Sequence, residues 1–227
     1  MKLNSTMDID TRIIEKFLSD YELETIENHV KSTCTAWENW NPAGVPGEKI
    51  MSAHYYVFKY YDQEHQKIKD ILQPKFEKEF GPDLHIQQIH IFDSFDPYKV
   101  HSDVDSGGDI VPSAPLPAWT FIIPLFDVDS YTIVFNEQDP VKVPEFYFEK
   151  TKPFDKHSID HVTYKKYFSH VPYDYFKWLT IEDIFKWKKG SLFAASRYKF
   201  HTSDNFLANG VSNKRAIIAW TSLPNNV

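Results

Sequence analysis

Apolar residues fall at helical spacing in the first third of the chain and at alternate positions in much of the rest. Leu23, Ile26 and Val30 recur three and four residues apart, the spacing of one helix face. Just before them stands Ser19-Asp20-Tyr21-Glu22, a Ser-x-x-Glu capping box in which each side chain satisfies the other residue's free backbone N–H. A helix is predicted from Ser19 to the Lys31–Thr35 region. A second is predicted over Gln63–Phe80, with Ile68, Ile71, Leu72 and Phe76 inward. Pro74 should kink or split it, and Gly81-Pro82 stops it. Pro42, Gly44, Pro46 and Gly47 mark Asn39–Gly47 as loop.

Beyond residue 83 the period drops to two. Leu84–Phe92 alternates apolar with polar, slipping once at Gln87-Gln88, as a β-bulge would require. Trp119–Phe126, Tyr131–Phe135, Ser191–Ala195 and Arg215–Thr221 also read as strands. Two helices followed by a run of strands predict an α+β, mainly β fold, its sheets forming a sandwich or barrel. Glu145–Trp187 interrupts this with thirteen aromatic residues among lysines. It reads as a cover over one sheet, a lid or substrate wall, or an oligomer interface.

Composition narrows the function classes. At 227 residues one domain is expected, spanning 1–227. A net charge of -7 argues against a general nucleic-acid binder. Cys34 is the only cysteine, so no intrachain disulfide forms and a reducing compartment is expected. No secretory h-region and no apolar run of about 18 residues occurs. A cytoplasmic protein without a membrane span is the expectation.

The chemistry concentrates at His101-Ser102-Asp103. On an extended chain residues two apart share a face, so both side chains reach one ion while Ser102 points away. Two histidines and a carboxylate on one face of an octahedron leave positions open, as non-haem iron(II) oxygenases need. Composition alone predicts about 0.8 His-x-Asp triplets by chance, so the motif needs support. It comes downstream: His201, then Asn205 and Gly210, then Arg215 opening the last strand. Arginine suits that place because its planar fork binds a carboxylate bidentately.

Four segments, FLSDYELETIENHV, KVHSD, TFIIPLFDVDSYTIVF and WKKGSLFAASRYKFHTSDNFLANGVSNKR, together resemble the Fe(II)/2-oxoglutarate oxygenase superfamily, especially its prolyl-hydroxylase-like and phytanoyl-hydroxylase-like branches. The resemblance implies a double-stranded β-helix (jelly-roll) core with flanking N-terminal helices. It implies metal ligation by His101, Asp103 and His201, with Arg215 holding the distal carboxylate of 2-oxoglutarate. Lys214 is the fallback for that salt bridge, and Arg197 a more distant rival. The implied activity is a dioxygenase using Fe(II), 2-oxoglutarate and O2 to hydroxylate a small-molecule or peptide substrate, releasing succinate and CO2. The chain departs from the family pattern in having Tyr131 where a glycine usually precedes the threonine at Thr132. It also carries an aromatic-rich insertion at about 137–187.

Other readings stand beside this one. A jelly-roll binding protein without turnover keeps the fold, and a cupin-like metal enzyme would bind iron without 2-oxoglutarate. His157, Asp160 and His161 could cluster on a helix, although a solvated face is the simpler account. Asp103-x-Asp105 with Gly107-Gly108 lacks the carboxylates of a calcium loop. His90 and Asp93 could orient a metal ligand from behind.

Overall fold

The computed structural model describes residues 10–33, 38–40, 53–57, 63–104, 116–139, 159–176 and 178–223. Cys34, Pro42–Gly47, Asp105, Gly107, Gly108, His157 and residues 140–158 of the insertion lie outside them.

The capping box forms as read. Glu22 accepts from both the backbone N–H and the hydroxyl of Ser19, each at 2.8 Å, and the Ser19 hydroxyl accepts from Glu22 N–H at 3.3 Å. It opens α1 (Asp20–Thr33). The second helix, α2 (Gln63–Phe80), runs unbroken through Pro74. Next to that proline, Gln73 ties the helix to the following strand. Its amide donates to Leu84 O at 2.5 Å and accepts from Ile86 N–H at 3.3 Å.

Among the described residues ten strands follow in order as β1 (Arg12–Ile14), β2 (Glu38–Trp40), β3 (Ala53–Val57), β4 (His85–Ser94), β5 (Leu116–Pro124), β6 (Tyr131–Gln138), β7 (Ile181–Lys186), β8 (Leu192–Ser196), β9 (Lys199–Ser203) and β10 (Lys214–Leu223). They form a seven-stranded sheet in the order β1-β8-β5-β10-β4-β3-β2 and a three-stranded sheet β7-β6-β9, with every pair antiparallel. The parity slip in β4 is a true bulge: Trp220 pairs with Gln88 but Thr221 pairs with Ile86, leaving Gln87 as the extra residue. One expectation is corrected. Asn39 and Trp40 belong to β2, paired with His54 and Ala53, because three residues carry too little pattern to betray a strand.

Strand alternation sorts the core into layers. Phe121, Ile123, Ile217 and Ala219 face the helices, packing with Leu23, Ile26, Leu72 and Phe76. Their neighbours Ile122 and Ala216 face the small sheet and meet Val134, Phe185, Trp187 and Phe193. On the far side of the small sheet, Ile133 and Phe135 are covered by Ile159, Phe168, Val171, Phe176 and Leu179. Much of that cover comes from α3 (His161–Tyr167) and a 3-10 turn at Tyr173–Phe176, with the residues around them. The described part of the aromatic stretch is therefore largely packing, and its last segment is a sheet strand.

Gly190 holds the turn into β8 at φ 71°. Its carbonyl accepts from Leu18 N–H at 2.9 Å, and a Cβ there would lie 2.7 Å from Leu18 O. Gly190→Ala is predicted to destabilise the fold by about 2 kcal/mol or more, from left-handed strain plus the clash. Gly81→Ala (φ 108°, nothing within 4 Å of the added methyl) carries the backbone strain alone and should cost less. Urea unfolding of the two variants checks the ranking.

Candidate metal centre

His101 and Asp103 lie in the segment after β4, and His201 lies in the middle of β9. Two backbone bonds join them: His101 N–H to His201 O at 3.0 Å and the reverse at 2.9 Å. This antiparallel bridge brings together residues a hundred positions apart. Between His101 and Asp103, the Ser102 hydroxyl donates to Asp139 at 2.6 Å.

The three side chains converge. One ligand atom from each of His101, Asp103 and His201 lies within 4.8 Å of the others. The Nε2 atoms approach the two oxygens of Asp103, at 3.6 Å from His101 and 3.4 Å from His201. Each Nδ1 faces the carbonyl two residues earlier, Lys99 O at 2.8 Å and Lys199 O at 3.2 Å. A carbonyl only accepts, so Nδ1 carries the proton and Nε2 keeps a free lone pair, the state a metal needs. Thr120 orients the carboxylate, donating to it at 2.7 Å. Burial and the nearby His201 push the His101 pKa down, which keeps the ring neutral. Burial would raise that of Asp103, but His201, His101 and the Thr120 hydroxyl outweigh it and hold the carboxylate ionised. A neutral imidazole at His101 and an ionised carboxylate at Asp103 suit Fe(II).

The triad lines a cavity of about 230 Å³, room for an organic molecule rather than one or two waters. Lys214, Ala216, Ile218 and Trp220, alternate residues of β10, all face it. Arg215 is one residue out of phase and is absent from its wall. Its side chain is 37% exposed and pairs with Asp93 at 2.5 Å. The second oxygen of Asp93 accepts from Asn213 at 2.8 Å, so Asp93 serves Arg215 rather than a metal ligand. His90 packs edge-on against Trp220, centroids 4.5 Å apart. Asp160 caps α3 by accepting from Val162 and Thr163 N–H, and His161 stacks on Tyr164. Among the described residues His101, Asp103 and His201 are the one group able to hold a metal.

Lys214 is 4% exposed. Its ammonium donates to Ser203 at 2.7 Å and Ser130 at 3.3 Å, and it lies over the Trp187 ring at 4.2 Å. Ser130 in turn donates to buried Asp204 at 2.7 Å. Ser203 follows His201 by two along β9, a rise of about 7 Å, so cation and triad share one wall. Sequence reasoning passed over Ser130, Ser203, Asp204, Thr120 and Trp187. Lys214 is the fallback to Arg215 in the sequence, and the cavity-facing phase of β10 is what ranks it first.

Compared with solved structures, the chain is similar to the non-haem α-ketoglutarate-dependent epimerase SnoN from nogalamycin biosynthesis, with TM-score 0.59 and 12% identity over 93% of this chain and 78% of that one. It is similar to the carbocyclase SnoK from nogalamycin biosynthesis, with TM-score 0.54 and 17% identity over 93% and 79%. A third match is HygX from Streptomyces hygroscopicus with nickel, 2-oxoglutarate and hygromycin B bound, at TM-score 0.52 and 13% identity over 95% and 83%. No protein-family model and no curated protein matches the chain. The chain shares the fold of these solved structures. Among the described residues no helix is long and apolar enough to cross a membrane.

Burial depresses the Lys214 pKa to about 7, with Asp204 opposing. Between that value and the ordinary lysine pKa, the unfolded chain keeps a proton that the folded chain has released. Folding stability therefore rises with pH in that window, by at most about 1.4 kcal/mol per pH unit. Urea midpoints of metal-free protein at about pH 7 and about pH 9 should show the wild type gaining relative to Lys214→Met. Parallel midpoints would contradict a depressed lysine.

Proposed function

We propose that this chain is a single-domain Fe(II)- and 2-oxoglutarate-dependent dioxygenase with a double-stranded β-helix core. Strands β8-β5-β10-β4 facing β7-β6-β9, with the His101 bridge extending the small sheet beside β9, support the jelly-roll reading. The observation that carries the function is a two-histidine, one-carboxylate triad sharing a cavity with a buried lysine.

In this reading His101 and His201 offer Nε2 and Asp103 offers its carboxylate to iron. Lys214, in place of Arg215, holds the distal carboxylate of 2-oxoglutarate, aided by Ser203. Lysine serves here as a point charge, fixed by its serines and by Trp187. Fe(II) and 2-oxoglutarate, when bound, would let O2 act as the oxidant, one oxygen atom passing to the substrate as hydroxyl and the other into succinate as 2-oxoglutarate loses CO2. The chain supplies orientation and a dry wall: Ile122, Ala216, Ile218 and Trp187 line the cavity and keep bulk water from the reacting groups. SnoN has been solved with nogalamycin RO and HygX with hygromycin B, which favours a small-molecule substrate over a peptide. Residues 137–187 are read as an insertion into the domain, with Trp187 contributing directly to the cavity.

Anaerobic titration with Fe(II) and 2-oxoglutarate should raise a weak visible charge-transfer band. His101→Ala should abolish it; an unchanged band would end the metal assignment. Lys214→Met should weaken 2-oxoglutarate binding by about 10-fold or more, equivalent to losing one charge-assisted hydrogen bond, while Arg215→Met leaves it near wild type. The opposite ranking would return the role to Arg215. Succinate formation without added substrate separates the dioxygenase from a silent binding protein, and dependence on 2-oxoglutarate separates it from a cupin-like enzyme.

A further inference from the structure

Arg197 is 2% exposed and stands in the turn between β8 and β9, outside the cavity wall. Its guanidinium spans three separate segments. Nε donates to Asp103 O at 3.0 Å and Nη2 to Val104 O at 3.3 Å. Nη1 donates to Gln87 Oε1 at 2.5 Å and to Thr221 O at 3.2 Å. The main chain of the same residue adds a bond, since Arg197 O accepts from Asp103 N–H at 2.9 Å. Arg197 thus grips the N–H and the C=O of Asp103 together, one with its backbone and one with its side chain.

We propose that Arg197, steadied by Gln87, is a positioning residue that fixes the backbone of Asp103 so that its carboxylate meets both histidines. The inference rests on the metal reading above. With both peptide groups of Asp103 clamped and Thr120 holding one carboxylate oxygen, the ligand has little rotational freedom left. Gln87 explains the bulge in β4. Regular alternation would have no residue to spare there, whereas one inserted residue gives an amide oxygen aimed at Nη1, as bulges do when they re-aim a side chain. Arginine is required at 197 because a planar fork reaches acceptors in several directions, and lysine presents a single point charge.

The test uses Co(II), whose affinity is read by chelator competition and whose visible spectrum reports ligand geometry. Arg197→Lys keeps the charge and loses the fork. It should weaken Co(II) binding by about tenfold or more and change the spectrum. Gln87→Leu, which leaves the Thr221 contact in place, should move both readouts the same way by less, and it carries the test if Arg197→Lys does not fold. Gly190→Ala, destabilised at its contact with Leu18, should leave affinity and spectrum at wild type, separating positioning from general loss of stability. Wild-type Co(II) affinity and spectrum in Arg197→Lys and Gln87→Leu, with His101→Ala abolishing binding, overturns this proposal alone. If His101→Ala binds Co(II) as the wild type does, the metal reading itself fails.

Discussion

The structure turns on one short backbone pairing, the exchange of N–H and C=O between His101 and His201. Two hydrogen bonds superimpose segments a hundred residues apart and set both imidazoles side by side, ring centroids 4.2 Å apart. The arrangement is nearly symmetrical, each ring tethered through Nδ1 to the carbonyl two residues before it. Asp103 lies two residues after His101, and its place beside both rings is completed by long-range bonds from Arg197 and Thr120.

The pairing is held because β9 is itself fixed. It lies beside β6, and β6 lies beside β7, with Ile133 and Phe135 sealed from outside by Phe168, Phe176 and Leu179. The described aromatics of the insertion act chiefly there, making the small sheet a buried layer instead of an exposed ribbon. Phe185 and Trp187 are the exceptions that reach inward, and Trp187 also lines the cavity. Its indole donates to Thr132 at 2.9 Å while its ring receives Lys214.

Electrostatically the cavity opposes an ionised carboxylate in the triad to a buried ammonium further along the same wall. Neither charge is cheap to bury, and each is compensated differently. Asp103 has two imidazoles and a hydroxyl. Lys214 has two hydroxyls and two aromatic faces, with Asp204 one serine away, and its depressed pKa shows that this compensation is incomplete. In the proposed function, the distal carboxylate of 2-oxoglutarate supplies the missing counter-charge.

Local chemistry written in the chain determined a good deal. The Ser19–Glu22 box and the Leu23, Ile26, Val30 stripe specified α1. The alternation of residues 84–92, with its slip, specified β4 and its bulge, and His-x-Asp with a distant histidine marked the triad. These are short-range regularities, read from neighbours a few positions apart. The three-residue strands β1 and β2 escaped notice because they are shorter than the pattern that reveals them, and β3, β7 and β9, five or six residues long, escaped as well. The choice between Lys214 and Arg215 escaped for a different reason. Adjacent strand residues point to opposite faces, and only the packing of Ile217 and Ala219 against the helices decides which face is the cavity. The grip of Arg197 on Asp103 likewise joins four stretches of chain that nothing but the folded sheet brings within hydrogen-bond reach.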